Sequence, residues 1–172
     1  MKNFKLLLLA CVAVFAASCG GDDDGSGFEL NQENIVAEYE IVFYESVQTE
    51  EISAGNSTVT AVTTIEGDTF TNARFFIDID NTYDISGGYV EDLTTVVAGQ
   101  ETDSSRMTAN FQQGGSYSLN TDERTLILNP GNDQTTLEIT RFNENSLRLV
   151  ENTEFPNGVI FEQEYRLERV DN

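Results

Sequence analysis

The chain has 172 residues, with 30 Asp and Glu against nine Lys and Arg, two Cys, and neither His nor Trp. That length suits one domain with appendages, and a net charge of −21 argues against nucleic acid as a partner, because phosphate binding depends on Lys and Arg. Without His the usual general base and the commonest metal ligand are missing, so a non-enzyme is expected, with no catalytic, cofactor or metal site.

The first five residues carry both lysines, Lys2 and Lys5, and an uninterrupted apolar run of twelve follows from Leu6 to Ala17. Small residues close it at Ala16-Ala17-Ser18-Cys19. A basic start, an apolar middle and a small-residue end make a secretory signal over 1–18. The run is too short to cross a bilayer, which takes roughly 20 apolar residues. Ala-Ala-Ser-Cys also resembles the bacterial lipobox, with Ala16 where that pattern prefers Leu. The resemblance implies that Cys19 is diacylated, becomes the new N-terminus and ties the protein to a membrane through lipid. The plainer alternative is a soluble secreted protein with an incidental cysteine. The position of Cys19 at the expected cut, and the lack of any later cysteine, favour the lipid.

Gly20-Gly21-Asp22-Asp23-Asp24-Gly25-Ser26-Gly27 follows. These side chains cannot build a core, so 19–34 reads as a flexible linker after the lipid. The acidic triplet resembles the export signal of surface lipoproteins in Bacteroidetes-type bacteria. It implies an outer-membrane protein exposed at the cell surface; the alternative is an acidic spacer. A floppy linker lacks the fixed geometry that specific Ca²⁺ binding needs.

From residue 35 the apolar pattern has period two, the mark of half-buried strands. Ile35, Ala37, Tyr39, Ile41, Phe43 and Val47 share one phase, and Val59, Ala61 and Ile65 another. Ala73, Phe75, Ile77 and Ile79 lead into Asp80-Asn81, with Tyr83, Ile85 and Tyr89 beyond, which reads as a tight hairpin. Met107, Ala109 and Phe111 then run to a break at Gly114-Gly115. Tyr117 and Leu119, Leu126 and Leu128, Leu137 and Ile139, and Leu147 and Leu149 follow, each pair ending in Gly, Asn, Asp or Pro. Val159, Phe161, Tyr165 and Leu167 end the series. Helical periodicity is weak everywhere, with only a hint near 92–98.

Strands spaced by roughly ten residues and joined by short links suggest an antiparallel meander. About eight to ten such strands leave two open edges unless the sheet closes, which favours an all-β up-and-down barrel over 35–170. An immunoglobulin-like sandwich is the competing architecture. The runs Gly115-Ser-Tyr117-Ser-Leu119, Leu126-Ile-Leu128, Leu137-Glu-Ile139, Asn145-Ser-Leu147-Arg-Leu149 and Glu164-Tyr165-Arg166-Leu167, with the earlier Phe75-Phe-Ile-Asp-Ile-Asp-Asn-Thr-Tyr83, resemble the lipocalin-like lipoproteins of Bacteroidetes-type bacteria. That family usually has a Trp in its first strand, where this chain has Tyr39.

Asp78-Ile-Asp80-Asn81-Thr82-Tyr83-Asp84 lacks the Gly and the bidentate Glu of a calcium loop and reads as a hairpin turn. Glu162 and Glu164 fall on the polar phase of the last strand and read as a solvated face, not a carboxylate pair for glycoside chemistry. More informative are Glu45, Arg141, Gln163 and Arg169, polar residues in an apolar phase. Inside a barrel a polar group needs a partner, water or a ligand. A few polar groups among aromatics describe a small-molecule pocket. Tyr39, Phe43, Phe75, Tyr83, Arg141, Gln163 and Tyr165 are therefore the expected ligand-binding residues, for a small apolar or amphiphilic molecule. The alternative is a protein–protein interaction module with a packed core and an acidic exterior.

Cys19→Ala is expected to block acylation and move the protein from the membrane fraction to the soluble fraction. Unchanged membrane association would remove the lipobox reading.

Overall fold

The computed structural model describes residues 28–170; the expected signal peptide, Cys19 and the acidic triplet lie outside the described residues. A single helical turn, α1 (Gln32–Ile35), leads into eight strands. These are β1 (Ala37–Ala54), β2 (Ser57–Ile77), β3 (Thr82–Val97), β4 (Gln100–Asn120), β5 (Thr125–Asn129), β6 (Thr135–Phe142), β7 (Ser146–Glu154) and β8 (Ile160–Arg169). Each pairs antiparallel with the next, and β8 pairs with β1 to close an up-and-down barrel. Closure removes the edges that an open meander would leave.

Three local expectations change. Residues 28–34 were expected as linker, yet Phe28 and Leu30 pack against the core, and the Phe28 ring lies 5.3 Å from that of Phe142. Asn31, next after Leu30, caps α1, its Oδ1 accepting from the Asn34 amide at 2.8 Å. The stretch near 92–98 is strand within β3 as far as Val97, as β-branched Thr94-Thr95-Val96-Val97 favours. Gly114-Gly115 is no break but lies inside β4. A Cβ on Gly115 would stand 2.3 Å from the Asn129 carbonyl oxygen, so glycine there serves the close approach of β5.

The β1–β2 and β3–β4 turns define an upper end; α1 and the β2–β3 turn define the lower one. β5 pairs with β4 only over Ser116–Asn120, so the long arms of β1–β4 rise above the short β5. The lower lumen is filled. Tyr39, Ile41, Phe75, Leu126, Leu137, Ile139, Phe142, Leu147, Leu149 and Leu167 are at most 1 % exposed. Each large apolar side chain so buried stabilises by about 1.5–3 kcal/mol relative to exposure.

β2 shifts register twice between Asp68 and Arg74, opposite Gly88 and its neighbours on β3. Thr69 and Asn72 take positive φ there. The kink presses the β2 backbone onto Gly87, whose φ is +108°, and a Cβ at Gly87 would stand 2.1 Å from the Asn72 carbonyl oxygen. Gly87→Ala is expected to cost roughly 3 kcal/mol or more, since backbone strain and overpacking add. Gly55→Ala at a hairpin tip has positive φ but nothing within 4 Å, and should cost only about 1–2 kcal/mol. Urea melts of the two variants check the contrast; equal losses would show that Gly87 is not sterically confined.

Candidate functional site

Of the seven expected pocket residues, Tyr39, Phe75 and Tyr83 belong to the filled lower lumen. The Tyr39 hydroxyl donates to the Ile35 carbonyl at 2.9 Å and accepts from Arg169 Nη2 at 3.2 Å; Arg169 Nη2 also donates to the Asn34 carbonyl. Burial pushes the Tyr39 hydroxyl up to about 12, although the Arg169 charge pulls the other way. Tyr39 thus ties α1 to the barrel floor. Phase was read correctly there, but the space it faces is already occupied. Phe75 is fully buried, and its ring centre lies 6.1 Å from that of Tyr83 and 6.2 Å from that of Tyr165. The Tyr83 hydroxyl is buried without a hydrogen-bond partner among the described residues.

Above them lies a layer of rings. Tyr89 and Phe111 stack with centroids 4.4 Å apart, and Tyr44 meets both edge-on at 5.4 and 5.3 Å. Tyr165 lies 5.2 Å from Tyr44. Burial raises the Tyr165 hydroxyl well above its ordinary value, with Tyr44, Tyr89 and the Glu151 charge acting in the same direction. Gln163 faces the lumen as expected, and its Nε2 donates to the Tyr44 hydroxyl at 3.1 Å. Across the β1–β8 ladder from Gln163 is Ser46, the one buried polar residue among those described. Across β7–β8 it faces Glu151, whose Oε1 accepts from Thr153 at 3.1 Å and whose carboxyl burial raises. Glu91 accepts from the Tyr89 hydroxyl at 3.4 Å.

Side chains in phase with this layer but higher up, Ile65, Leu93 and Phe161, stay half-buried. The upper lumen is therefore a cup with an aromatic floor, apolar flanks and a few inward polar groups. Tyr44, Tyr89 and Phe111 complete it and were not among the expected site residues. Tyr89 and Phe111 stood in the right phase as strand aromatics, so their signal was present. Tyr44 was hidden by a bulge.

That bulge also corrects Phe43. Register on β8 moves from Ile41 opposite Leu167 to Phe43 opposite Arg166. One inserted residue reverses the phase, so Tyr44 and Ser46 point inward and Phe43 lies on the outer wall with Val42. There the Arg166 guanidinium covers the Phe43 ring at 4.0 Å. Arg141 is corrected for the same reason. The β6–β7 register shifts between Ile139 and Arg141, which buries Phe142 and exposes Arg141. Glu45 likewise leaves the lumen phase. Asp78 and Asp80 hold the turn: Asp80 Oδ1 accepts from the Thr82 amide at 3.0 Å, and Asp78 Oδ1 from the Ile79 amide at 2.6 Å.

On the outer wall Glu164 bridges two arginines. Its oxygens accept from Arg148 Nε and Nη2, both at 2.8 Å, and from Arg166 Nε at 2.5 Å. Burial pushes the Glu164 carboxyl up, but these two guanidiniums outweigh it and hold it below the ordinary carboxylate value.

No family model matches the chain, and no similar protein was found among the curated proteins or the solved structures.

A carboxyl held low in the folded state stabilises above its unfolded pKa, about 4.3 for Glu, and that contribution is lost as pH falls through the folded value. Glu164→Gln should therefore lower stability at pH 7 by about 1 kcal/mol, the modest size reflecting half-exposed arginine partners, and by less at pH 3. Glu151 is raised, so the sign reverses, and Glu151→Gln should stabilise at pH 7. Thermal melts of both variants at the two pH values check the signs; equal losses for Glu164→Gln at both pH values would contradict the ion-pair assignment.

Proposed function

We propose that the protein is a surface lipoprotein with a lipocalin-like barrel, anchored by lipid on Cys19, whose upper cup binds a small apolar or amphiphilic molecule without transforming it. One observation carries the binding half of this reading. The lumen is unevenly filled: large side chains pack the lower part, whereas Phe111, Ile65, Leu93 and Phe161 remain half-buried around the inward Gln163, Ser46 and Glu151. Apolar surface with a few converging polar groups is how small-molecule sites are built. The anchoring half rests on the signal segment, Cys19 and the acidic triplet. Glu91 and Glu151, half-buried carboxylates in the cup's phase, disfavour a fatty-acid carboxylate and suit a ligand that is neutral or carries a cationic or hydrogen-donating head.

The second reading, an interaction module, is favoured by the filled lower lumen and by a surface on which acids predominate. Native mass spectrometry of the full protein extracted from its own membranes separates the two, because a binder carries a small-molecule adduct and a module does not.

Gln163→Leu tests the cup directly. It keeps side-chain volume and removes one neutral hydrogen bond, worth about 0.5–1.5 kcal/mol. Binding of a neutral naphthyl fluorophore should weaken two- to ten-fold (about 0.4–1.4 kcal/mol), with a melting temperature within about 3 °C of wild type. If no fluorophore binds even the wild-type protein, the cup is not a ligand site. A large loss of stability with affinity unchanged would give Gln163 a purely structural role.

A further inference from the structure

The seven arginines after the signal segment are not distributed alike. Arg74 lies between two carboxylates, Glu38 and Glu40, at 3.0 and 3.1 Å. Arg106 lies between Asp68 and Asp92, at 2.6 and 2.5 Å. Each is outnumbered by acids, as expected in a chain with 30 of them. One row on the outer wall of β6, β7 and β8 reverses that ratio, although Glu138, Glu154, Glu162 and Glu168 share the outer phase of these strands. Arg141 stands directly opposite Arg148, and Arg148 directly opposite Arg166. Three guanidiniums thus form one row across three strands, about 10 Å long at the usual strand spacing. Like charges placed directly opposite destabilise a sheet, and within the row Glu164 alone bridges them. Among the described residues Arg141 has no ion-pair partner.

The row borders a groove of about 430 Å³, lined also by Val42, Leu147, Leu167 and Glu168. Both bulges contribute to it. The one in β6 turns Arg141 outward, and the one in β1 puts Val42 and Phe43 on this wall. Bulges commonly re-aim a side chain beside a functional site. Arg166 is held from two sides, by Glu164 and by the Phe43 ring, so its orientation is set before any ligand arrives. A guanidinium has five N–H donors. Glu164 engages Nε and Nη2 of Arg148 and only Nε of Arg166, so among the described residues the Nη groups of Arg166 and the whole of Arg141 remain free.

We infer that the Arg141–Arg148–Arg166 row is a binding site for a ligand bearing phosphate groups, separate from the cup. A phosphate offers several acceptor oxygens and up to two negative charges, which matches parallel guanidinium donors better than a single carboxylate does. The chain's overall charge repels anions at long range, so a phosphate ligand is held only where arginines outnumber acids. Glu168, on the groove's edge, opposes the ligand and limits its affinity.

The same phosphate chemistry occurs in soluble oligophosphates and in lipid headgroups, and two probes distinguish them. Full-length protein is titrated with inorganic tripolyphosphate, followed by calorimetry, and is co-sedimented with phosphatidylcholine vesicles with and without phosphatidylglycerol. Arg141→Gln should weaken binding to the recognised probe at least ten-fold, Glu168→Gln should strengthen it two- to five-fold, and Arg106→Gln, on a distant arginine, should leave it unchanged. Arg141→Gln relieves a like-charge contact, so its melting temperature without ligand should match or exceed the wild-type value. Saturable tripolyphosphate binding with this mutational pattern identifies a soluble phosphate ligand. The same pattern seen only with phosphatidylglycerol vesicles identifies a headgroup. Binding to neither probe, or equal losses in Arg141→Gln and Arg106→Gln, overturns the assignment.

Discussion

Pairing of β8 with β1 is the contact on which the rest depends. It turns a meander with two open edges into a ring, and it gives β1 neighbours on both sides. Once both sides are paired, the side-chain phase of β1 is no longer free to slip. The residue inserted near Val42 must then be absorbed as a bulge. Below it, Tyr39 and Ile41 fill the floor; above it, Tyr44 and Ser46 face the cup. One backbone irregularity therefore separates a packed region from an aromatic one along a single strand.

The two regions are held differently. In the floor, leucines and isoleucines from β5–β8 meet Tyr39 and Phe75, and α1 lies across the end, secured by Arg169 and the Tyr39 hydroxyl. Polar atoms there are few. In the cup, stability comes from ring contacts at 4.4–5.4 Å and from bonds such as Gln163 to Tyr44. Edge-on and offset ring pairs contribute about 0.5–1.5 kcal/mol beyond their burial. A region built from rings and half-buried polar groups tolerates a guest better than a close-packed aliphatic floor, where filling or emptying even one methylene is felt.

Period-two alternation made most of the fold legible. It located β5–β8 closely, placed Phe75, Tyr83, Gln163 and Tyr165 on the lumen side, and implied a closed antiparallel sheet, but it divided β2 and β4, which each run unbroken. It failed where the period itself fails. Phe43 and Arg141 follow their apolar neighbours by two residues, and nothing in the letters marks an inserted residue in Ile41-Val42-Phe43-Tyr44 or in Ile139-Thr140-Arg141-Phe142. In the first run consecutive apolar and aromatic residues allow either phase, in the second Arg141 and Phe142 compete for the next inward position, and the partner strand decides. Alternation also cannot tell a filled lumen from an open one. Tyr39 and Tyr165 read alike, yet one faces α1 and the other faces the cup. Phe28 and Leu30 escaped notice because two isolated apolar residues carry no period.

The same alternation lets one strand serve two surfaces of opposite character. On β8, Gln163 and Tyr165 face a cup whose flanking charges, Glu91 and Glu151, are negative; Glu164 and Arg166 face a wall where arginines gather. The barrel wall separates these fields by the thickness of one sheet, so each can be set without neutralising the other. The bulges are where the two surfaces exchange residues. Moving Arg141 outward adds a cation to the wall and lets Phe142 enter the floor, while moving Phe43 outward seats Arg166 and lets Tyr44 enter the cup. A β8 substitution on one phase therefore acts mainly on one surface. Removing either bulge would instead put a cation or a misfit ring into the lumen and take from the outer wall either Arg141 or the ring that seats Arg166.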